Sequence, residues 1–497
     1  MGGGLMLHPA VTTSGLIDGL REVVAVTLGI LAWPVIIYFV LINTSYLVLI
    51  TLAWATSHRD RRRARLEGTD HVLASGRTAG ISLIVPAYNE EVGIVESVQS
   101  LLALAYPDVE VVVVNDGSSD GTLQLMIERF SLIRVASQAE GAIPTKAQPT
   151  ATYIPRSGRG GLVVVDKPNS GRSDAINVGI NHASKDLIAC VDADSVLEAN
   201  ALLTVTQPFL DDPLRCIGSG GSIRPINHCV VDRGRVLEVR MSPHYLPRIQ
   251  AVEYIRAFVL GRQGWARARA LLLISGAFGV FRRDVVLSAG GLDADSIGED
   301  LELVTRLHGI YRRSHTPYTV GFVAEPVNWT EVPPTIPVLA RQRRRWHRGL
   351  WEVLWKHRRM CFNPRYGRIG MVAIPYYWFF ELIAPLLEVI GIIVVPLAVI
   401  LGVSPWQYAL LFVLVAYAYG FLVSLAAIVV DTIYFDRYPR GKDIRRAVVA
   451  TVVENFGYRQ MTAVWRLQGW WAALRGKQAV WGVMSRQGFG ASQEDAQ

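Results

Sequence analysis

The chain has 497 residues, of which 51% are hydrophobic and 19% charged, with a formal net charge of +8, and its mean hydropathy is +0.28. That length is too great for one ordinary core and that hydropathy exceeds what a soluble protein needs, so membrane spans are predicted. The positive balance does not indicate nucleic acid, because the basic residues gather beside apolar segments, as Arg59, Arg61, Arg62, Arg63 and Arg65 do, in the pattern of a cytoplasmic flank facing membrane lipids.

Residues 23–57 carry no charged side chain, and as one helix they would measure about 50 Å against roughly 30 Å of hydrocarbon. The spacing predicts one tilted span with an interfacial extension. The start Met1-Gly2-Gly3-Gly4 lacks the basic region of a cleavable signal peptide, so the segment is expected to stay in the mature protein. From 81 to 200 short apolar runs at 81–85, 109–114, 162–165 and 187–191 read as strands, and 90–104, 119–130 and 173–182 read as helices. This alternation predicts a parallel α/β sheet whose ligands bind at the carboxyl ends of its strands. Residues 136–161, rich in Gly, Pro, Ser and Thr, are expected to form an excursion or flexible loop.

A helix is predicted from Gly298-Glu299-Asp300 to about His308, and a second, basic helix over 337–359. Residues 369–430 are interrupted by only two acidic or basic side chains, Glu381 and Glu388. Ser404-Pro405 divides them into spans at 382–401 and 406–430, preceded by an interfacial helix through Tyr376, Tyr377 and Trp378. The basic stretch 436–446 belongs in the cytoplasm by the positive-inside rule, which puts the N-terminus outside and makes a multi-pass plasma-membrane protein. Residues 447–471 contain Glu454, Arg459 and Arg466 and suit an amphipathic or partly inserted helix, with a fourth span left open. The four cysteines, Cys190, Cys216, Cys229 and Cys361, lack metal-binding spacing and read as reduced, mostly core residues. The expected units are 1–57 with the first span, a cytosolic domain with an interface helix at 58–360, spans within 361–432, and a cytosolic or interfacial segment at 433–497, in which no cyclic-dinucleotide-binding domain is expected.

Asn115-Asp116-Gly117-Ser118 follows a four-valine strand, and its small residues admit a ligand to the backbone while Asp116 accepts hydrogen bonds. Uridine recognition competes here with simple capping of the next helix. Val85-Pro86-Ala87-Tyr88-Asn89-Glu90 ends the first strand in the same way and favours a shared nucleotide pocket holding Ala87, Tyr88 and Glu90. Lys167 and Arg172, at another strand-to-helix turn, are placed to neutralise a diphosphate, though as a lone basic turn they would be a solvated surface. Asp192-Ala193-Asp194 at a strand end offers carboxylate oxygens to a hard cation, Mg²⁺ or Mn²⁺, that leaves room for phosphate. The same spelling recurs at Asp293-Ala294-Asp295, which has no buried strand before it and is rejected as the principal metal site.

Glu299 and Asp300 are either first-turn partners of the helix dipole or, if Asp300 faces the cleft, a general base for an acceptor hydroxyl. Residues 341–348 hold five arginines around Gln342, Trp346 and His347. Arg341, Arg343 and Arg348 suit anionic lipid as well as any catalytic role, whereas helical spacing sets Gln342 beside Arg345 and Trp346, a phosphate grip with a stacking surface for sugar. Glu381 and Glu388, seven residues apart, share one side of a helix and either pair structurally or line a polar path.

In this order the motifs resemble the membrane-embedded family 2 glycosyltransferases, the processive synthases of cellulose, hyaluronan, chitin oligomers and poly-β-1,6-N-acetylglucosamine, over about 81–350. The resemblance implies an α/β, GT-A (Rossmann-like) cytosolic glycosyltransferase domain with flanking transmembrane and interfacial helices, a UDP-sugar donor, a Mg²⁺ or Mn²⁺ cofactor, a growing polysaccharide acceptor leaving through the membrane bundle, and accessory export proteins. It assigns donor contacts to Ala87, Tyr88, Glu90, Asp116, Lys167, Arg172, Asp192, Gln342 and Arg345, metal contact to Asp194, base function to Asp300, and acceptor contacts to Glu299 and Trp346. Two positions depart from the usual pattern: Gly298 stands where a Thr often precedes Glu-Asp, and Arg343 where several relatives have a second Gln. A non-processive transferase acting on a lipid carrier and a non-catalytic membrane scaffold are the competing readings.

Overall fold

The computed structural model describes residues 13–67, 78–136, 141–158 and 161–476. The Met1-Gly2-Gly3-Gly4 start lies outside them, as do the side chains of Arg61, Arg62, Arg63 and Arg65. Among the described residues, ten strands form one mixed sheet in the order β3 (Leu132–Val135), β4 (Ala151–Pro155), β5 (Leu162–Lys167), β2 (Val109–Asp116), β1 (Ile81–Ala87), β6 (Leu187–Val191), β11 (Phe278–Arg282), β8 (Cys216–Pro225), β12 (Thr319–Thr330) and β7 (Val196–Leu197), and β9 (Val230–Asp232) and β10 (Arg235–Glu238) form a separate antiparallel pair. Its centre is β1 (Ile81–Ala87), β2 (Val109–Asp116), β5 (Leu162–Lys167) and β6 (Leu187–Val191), all parallel, with Ile81 opposite both Val109 and Leu187. These strands are near-continuous Val, Ile and Leu because helices cover both faces. Leu83, Val85 and Val113 pack with Ile94, Val98 and Met126 on one side, and Ile84 and Ile188 pack with Ile176 and Ile180 on the other.

The expected parallel sheet is therefore only the middle of a larger one. β11 (Phe278–Arg282) runs antiparallel between β6 and β8 (Cys216–Pro225), and β12 (Thr319–Thr330) lies parallel to β8. β8 escapes a hydrophobic pattern because Gly218, Gly220 and Gly221 line it; a Cβ at Gly221 would stand 2.1 Å from a Val327 methyl. The stretch 136–161 is likewise not simply a loop, since β4 (Ala151–Pro155) pairs antiparallel with β3 (Leu132–Val135) and β5. Ala151-Thr152-Tyr153-Ile154-Pro155 carries polar and turn-forming residues among few apolar ones, so its strand signal is weak.

Three helices are long and apolar enough to cross a membrane: Trp33–Arg59, Ile369–Ile400 and Trp406–Tyr434. The first belongs to a single helix, α1 (Thr13–Glu67), with Pro34 inside it. The predicted helix over 447–471 is instead two, Gly441–Val453 and Tyr458–Leu474, broken at Gly457, whose φ of +86° a residue with a side chain rarely adopts. Neither is a fourth span among the described residues. The apolar helices are fastened to the sheet by polar contacts: Arg224 of β8 pairs with Asp431, both buried, and Arg437 reaches Glu198 and Glu325. Cys190, Cys216, Cys229 and Cys361 are all free thiols, and the first three are buried.

Candidate active site

The two loops leaving β1 and β2 are tied into one wall. Asn89, in the left-handed region at φ 56°, accepts a hydrogen bond from the Ser119 amide at 2.8 Å, and its own amide donates to Ser118 Oγ at 3.0 Å. Glu91 accepts from the Gly121 amide at 3.0 Å. Ala87, Tyr88, Glu90 and Asp116 thereby border a common cavity.

Asp116 is heavily engaged. Its Oδ1 accepts from Lys167 Nζ at 2.5 Å and from the Ser170 amide at 3.0 Å, and its Oδ2 accepts from the Gly171 amide at 2.9 Å. Lys167, expected to neutralise a diphosphate, is fully buried behind Asp116 and also pairs with Asp174 at 3.3 Å. The ammonium shapes the turn 167–171 from behind and does not line the cavity. Its sequence neighbourhood could not reveal this, because the partners come from a parallel strand and the next helix.

Arg172, the first residue of the helix Arg172–His182, joins two motifs over a hundred residues apart. It donates to Asp192 Oδ1 through Nη2 at 2.7 Å and Nε at 3.1 Å, to Glu299 Oε1 at 2.7 Å, and to the Gly276 carbonyl at 2.8 Å. Burial works against the charge of this guanidinium, but Asp192 and Glu299 outweigh it and hold the pKa above its ordinary value. Burial pushes the Glu299 carboxyl up, with Arg172 opposing. Asp300, at the head of the helix Glu299–Arg313, accepts from the Gly276 amide at 3.1 Å. Gly276 therefore donates to Asp300 and accepts from Arg172, a bridge with no sequence signature of its own.

Opposite these groups lies the helix Ile336–Lys356. Gln342, Arg345 and Trp346 all border the cavity, as their helical spacing predicts. Gln342 Oε1 is buried with no hydrogen-bond partner among the described residues. Burial lowers the Arg345 pKa, with Glu299 opposing it, while Trp346 is 43% exposed. The approach of this helix explains the glycine at 298: a Cβ on Gly349 would stand 3.0 Å from the Gly298 amide nitrogen, and one on Gly298 would stand 3.3 Å from the Gly349 backbone. Two glycines allow two backbones to touch where either side chain would wedge them apart.

Asp194 and Asp192 follow β6 and border the cavity. Among the described residues no group of three or more His, Cys, Asp or Glu side chains forms a complete cation cage. Two carboxylates at a strand end suit a hard cation that completes its shell with substrate phosphate and water, so the donor set fits Mg²⁺ or Mn²⁺. The second Asp-Ala-Asp is occupied otherwise: Asp293 pairs with Lys356 at 2.7 Å and Asp295 with Lys146 at 2.6 Å. The cavity, about 3010 Å³, continues from these groups between the apolar helices as far as Glu381 and Glu388. Both acids border the cavity among mostly apolar side chains, and Glu381 also pairs with Arg466 at 3.5 Å.

A family model described as "Glycosyltransferase like family 2" matches residues 79–349. The chain belongs to that family. As a family 2 glycosyltransferase it is similar to poly-beta-1,6-N-acetyl-D-glucosamine synthase of Staphylococcus epidermidis, 27% identical over 275 residues that cover 55% of each protein. The synthase of Staphylococcus aureus strain COL is 28% identical over 276 residues, again 55% of each. The chain thus spans about half the length of the curated relatives it matches. Among solved structures it resembles the mannosyltransferase PcManGT of Pyrobaculum calidifontis in complex with GDP-Man and Mn²⁺, at 16% identity and a TM-score of 0.47, covering 86% of this chain and 100% of that one. It also resembles residues 1–349 of S. aureus TarS in complex with UDP-GlcNAc, at 16% identity and a TM-score of 0.38, covering 77% and 92%. The predicted α/β glycosyltransferase domain with helices able to span a membrane is what the chain has.

Proposed function

We propose that the chain is an inverting glycosyltransferase that uses a UDP-sugar, UDP-N-acetylglucosamine or UDP-glucose, to lengthen a β-linked polysaccharide and translocates it across the plasma membrane. The observation that carries this reading is the continuity of one cavity, from Tyr88 and Asp116 past Asp192, Asp300 and Trp346 to Glu381 and Glu388 between the apolar helices. A cavity that reaches so deep among these helices, with Glu381 and Glu388 in its wall, offers room for a polymer beyond the reacting sugar. The curated relatives, named as poly-N-acetylglucosamine synthases, favour the same substrate class.

In this mechanism the uridine end of the donor lies against Ala87, Tyr88, Glu90 and Asp116. Its diphosphate faces Asp192, Asp194, Gln342 and Arg345. Asp194 with Asp192 would hold Mg²⁺ or Mn²⁺, which supplies positive charge to the departing diphosphate. Arg172 keeps Asp192 and Glu299 in place by two 2.7 Å ion pairs. Trp346 offers its exposed ring to the terminal sugar of the acceptor, beside Glu299. Asp300, oriented by the Gly276 amide, accepts the proton of the acceptor hydroxyl. The oxygen attacks the anomeric carbon on the face opposite the diphosphate. The bond between the anomeric carbon and the diphosphate oxygen breaks, its electron pair leaving on UDP, and an α-linked donor gives a β-linked product.

The test is incubation of the vesicle-reconstituted protein with a panel of UDP-sugars and either Mg²⁺ or Mn²⁺, followed by linkage-specific digestion of the product. A long β-linked polymer is expected. A single sugar on an extracted lipid would overturn the polymer reading, and no UDP release from any donor would overturn transfer altogether.

A further inference from the structure

The arginines of the helix Ile336–Lys356 do not share one task. Arg345 faces the cavity among Asp192, Glu299 and Asp300, Arg344 is exposed, and Arg343 is only 7% exposed. Arg343 Nη2 donates to Glu253 Oε2 at 2.7 Å and lies 3.3 Å from the Tyr458 hydroxyl, which itself donates to Glu253 Oε2 at 2.9 Å. Glu253 comes from the helix Tyr245–Ile255 and Tyr458 opens the helix Tyr458–Leu474, so two other elements fix this guanidinium. Its Cζ then stands over the ring of Trp346, 4.7 Å from the centroid.

A guanidinium over an indole is attracted by the negative face of the ring, and the planar fork of arginine both stacks and forms directed hydrogen bonds, which lysine cannot do together. An indole that borders a wide cavity would otherwise turn about its side-chain bonds. With one face covered by a fixed cation, it has a single orientation and one face left for a sugar.

We propose that Arg343 is the positioning residue for the acceptor: held by Glu253 and Tyr458, it clamps one face of Trp346 so that the opposite face receives the terminal sugar of the growing chain. This rests on the acceptor role of Trp346 given above. Arg343 also borders the cavity, but its guanidinium is engaged by Glu253 and Tyr458 and acts through the indole. The lipid-headgroup role that the basic sequence also allowed falls away for Arg343, because its charge is buried and already matched by Glu253.

The experiment uses the full-length protein in vesicles with a saturating UDP-sugar donor and, as acceptors, cellopentaose or a β-1,6-linked N-acetylglucosamine pentamer. A cation–π contact of about 1 kcal/mol corresponds to roughly a fivefold change in an equilibrium. Arg343→Lys is therefore expected to raise the acceptor KM about fivefold while donor KM and acceptor-independent hydrolysis of the donor stay within twofold. Tyr458→Phe, which removes one hydroxyl from the clamp, should shift the acceptor KM in the same direction by a smaller factor and guards against misfolding of the arginine variant. In a Trp346→Leu background Arg343→Lys should change nothing further. An acceptor KM unmoved by both Arg343→Lys and Tyr458→Phe, an equal change in donor KM, or effects that simply multiply in the double variant would overturn the positioning role. Parent protein whose turnover responds to neither oligosaccharide would overturn the acceptor reading itself and this proposal with it.

Discussion

Replacing Glu302 by Gln tests how the helix carrying Asp300 is held against the helix carrying Gln342, Arg345 and Trp346. The Glu302 carboxylate is fully buried and sits between Lys356 Nζ at 2.9 Å, Arg306 Nη2 at 3.0 Å and His357 Nε2 at 3.2 Å. Lys356 and His357 belong to the far end of the second helix, so the carboxylate joins the two. Burial alone would raise its pKa, but His357, Arg306 and Lys356 outweigh that and bring it from 4.5 down to about 2. A depressed carboxylate contributes stability that is complete above its unfolded value and is lost as the pH falls towards its folded one, here from 4.5 to about 2. At 1.36 kcal/mol per tenfold change the lowering corresponds to about 3 kcal/mol, and screening of the half-exposed Lys356 reduces the expected loss to about 2 kcal/mol. Glu302→Gln should lower the thermal midpoint in detergent by several degrees at pH 7, at matched scan rate, and reduce kcat about tenfold by loosening Asp300 relative to the facing helix. The gap in midpoint should close as the pH is taken from 5 towards 3. Equal midpoints at pH 7, or a gap that persists in acid, would refute the reasoning.

Asp300→Asn should reduce polymer formation by a factor of about 10² to 10⁴, the usual span for a general base, with UDP-sugar affinity by equilibrium binding nearly unchanged. Gly349→Ala places a Cβ 3.0 Å from the Gly298 nitrogen; a lower thermal midpoint, equivalent to about 1–2 kcal/mol, and reduced kcat at normal donor affinity are expected. Burial lowers the pKa of His308 to about 4 and that of His347 to about 3, from 6.5. Their neutral forms contribute stability that is complete above 6.5 and is lost as the pH falls through the folded values. The midpoint of the parent should drop from pH 6.5 downwards, and His308→Gln should flatten that slope between 6.5 and 4.

The parallel centre of the sheet could be read directly because its strands are buried on both faces and spell near-continuous apolar runs, and the predicted 187–191 coincides with β6 residue for residue. The three apolar helices were legible for the same reason, since each must satisfy lipid along its own length. Gln342, Arg345 and Trp346 reach one cavity because helical periodicity alone brings them to one side. β8 and β4 were not legible: one is a strand of glycines that admits its neighbours' side chains, the other a short strand of Ala, Thr, Tyr, Ile and Pro with little apolar signal.

Local chemistry named the right residue types at the candidate site, and tertiary structure decided what each one faces. Lys167 and Arg172 look alike in sequence as two cations at one turn, but the fold buries the first behind Asp116 and aims the second at Asp192 and Glu299. Arg343 and Arg345 are two residues apart and yet meet Glu253 in one case and the neighbourhood of Asp192 and Glu299 in the other. A helix rotates by about 100° per residue, so the sequence alone determines which side chains diverge. Which partner stands on each side depends on elements brought in from other stretches of the chain, Glu253 for one and Asp192 with Glu299 for the other, and no local pattern encodes that.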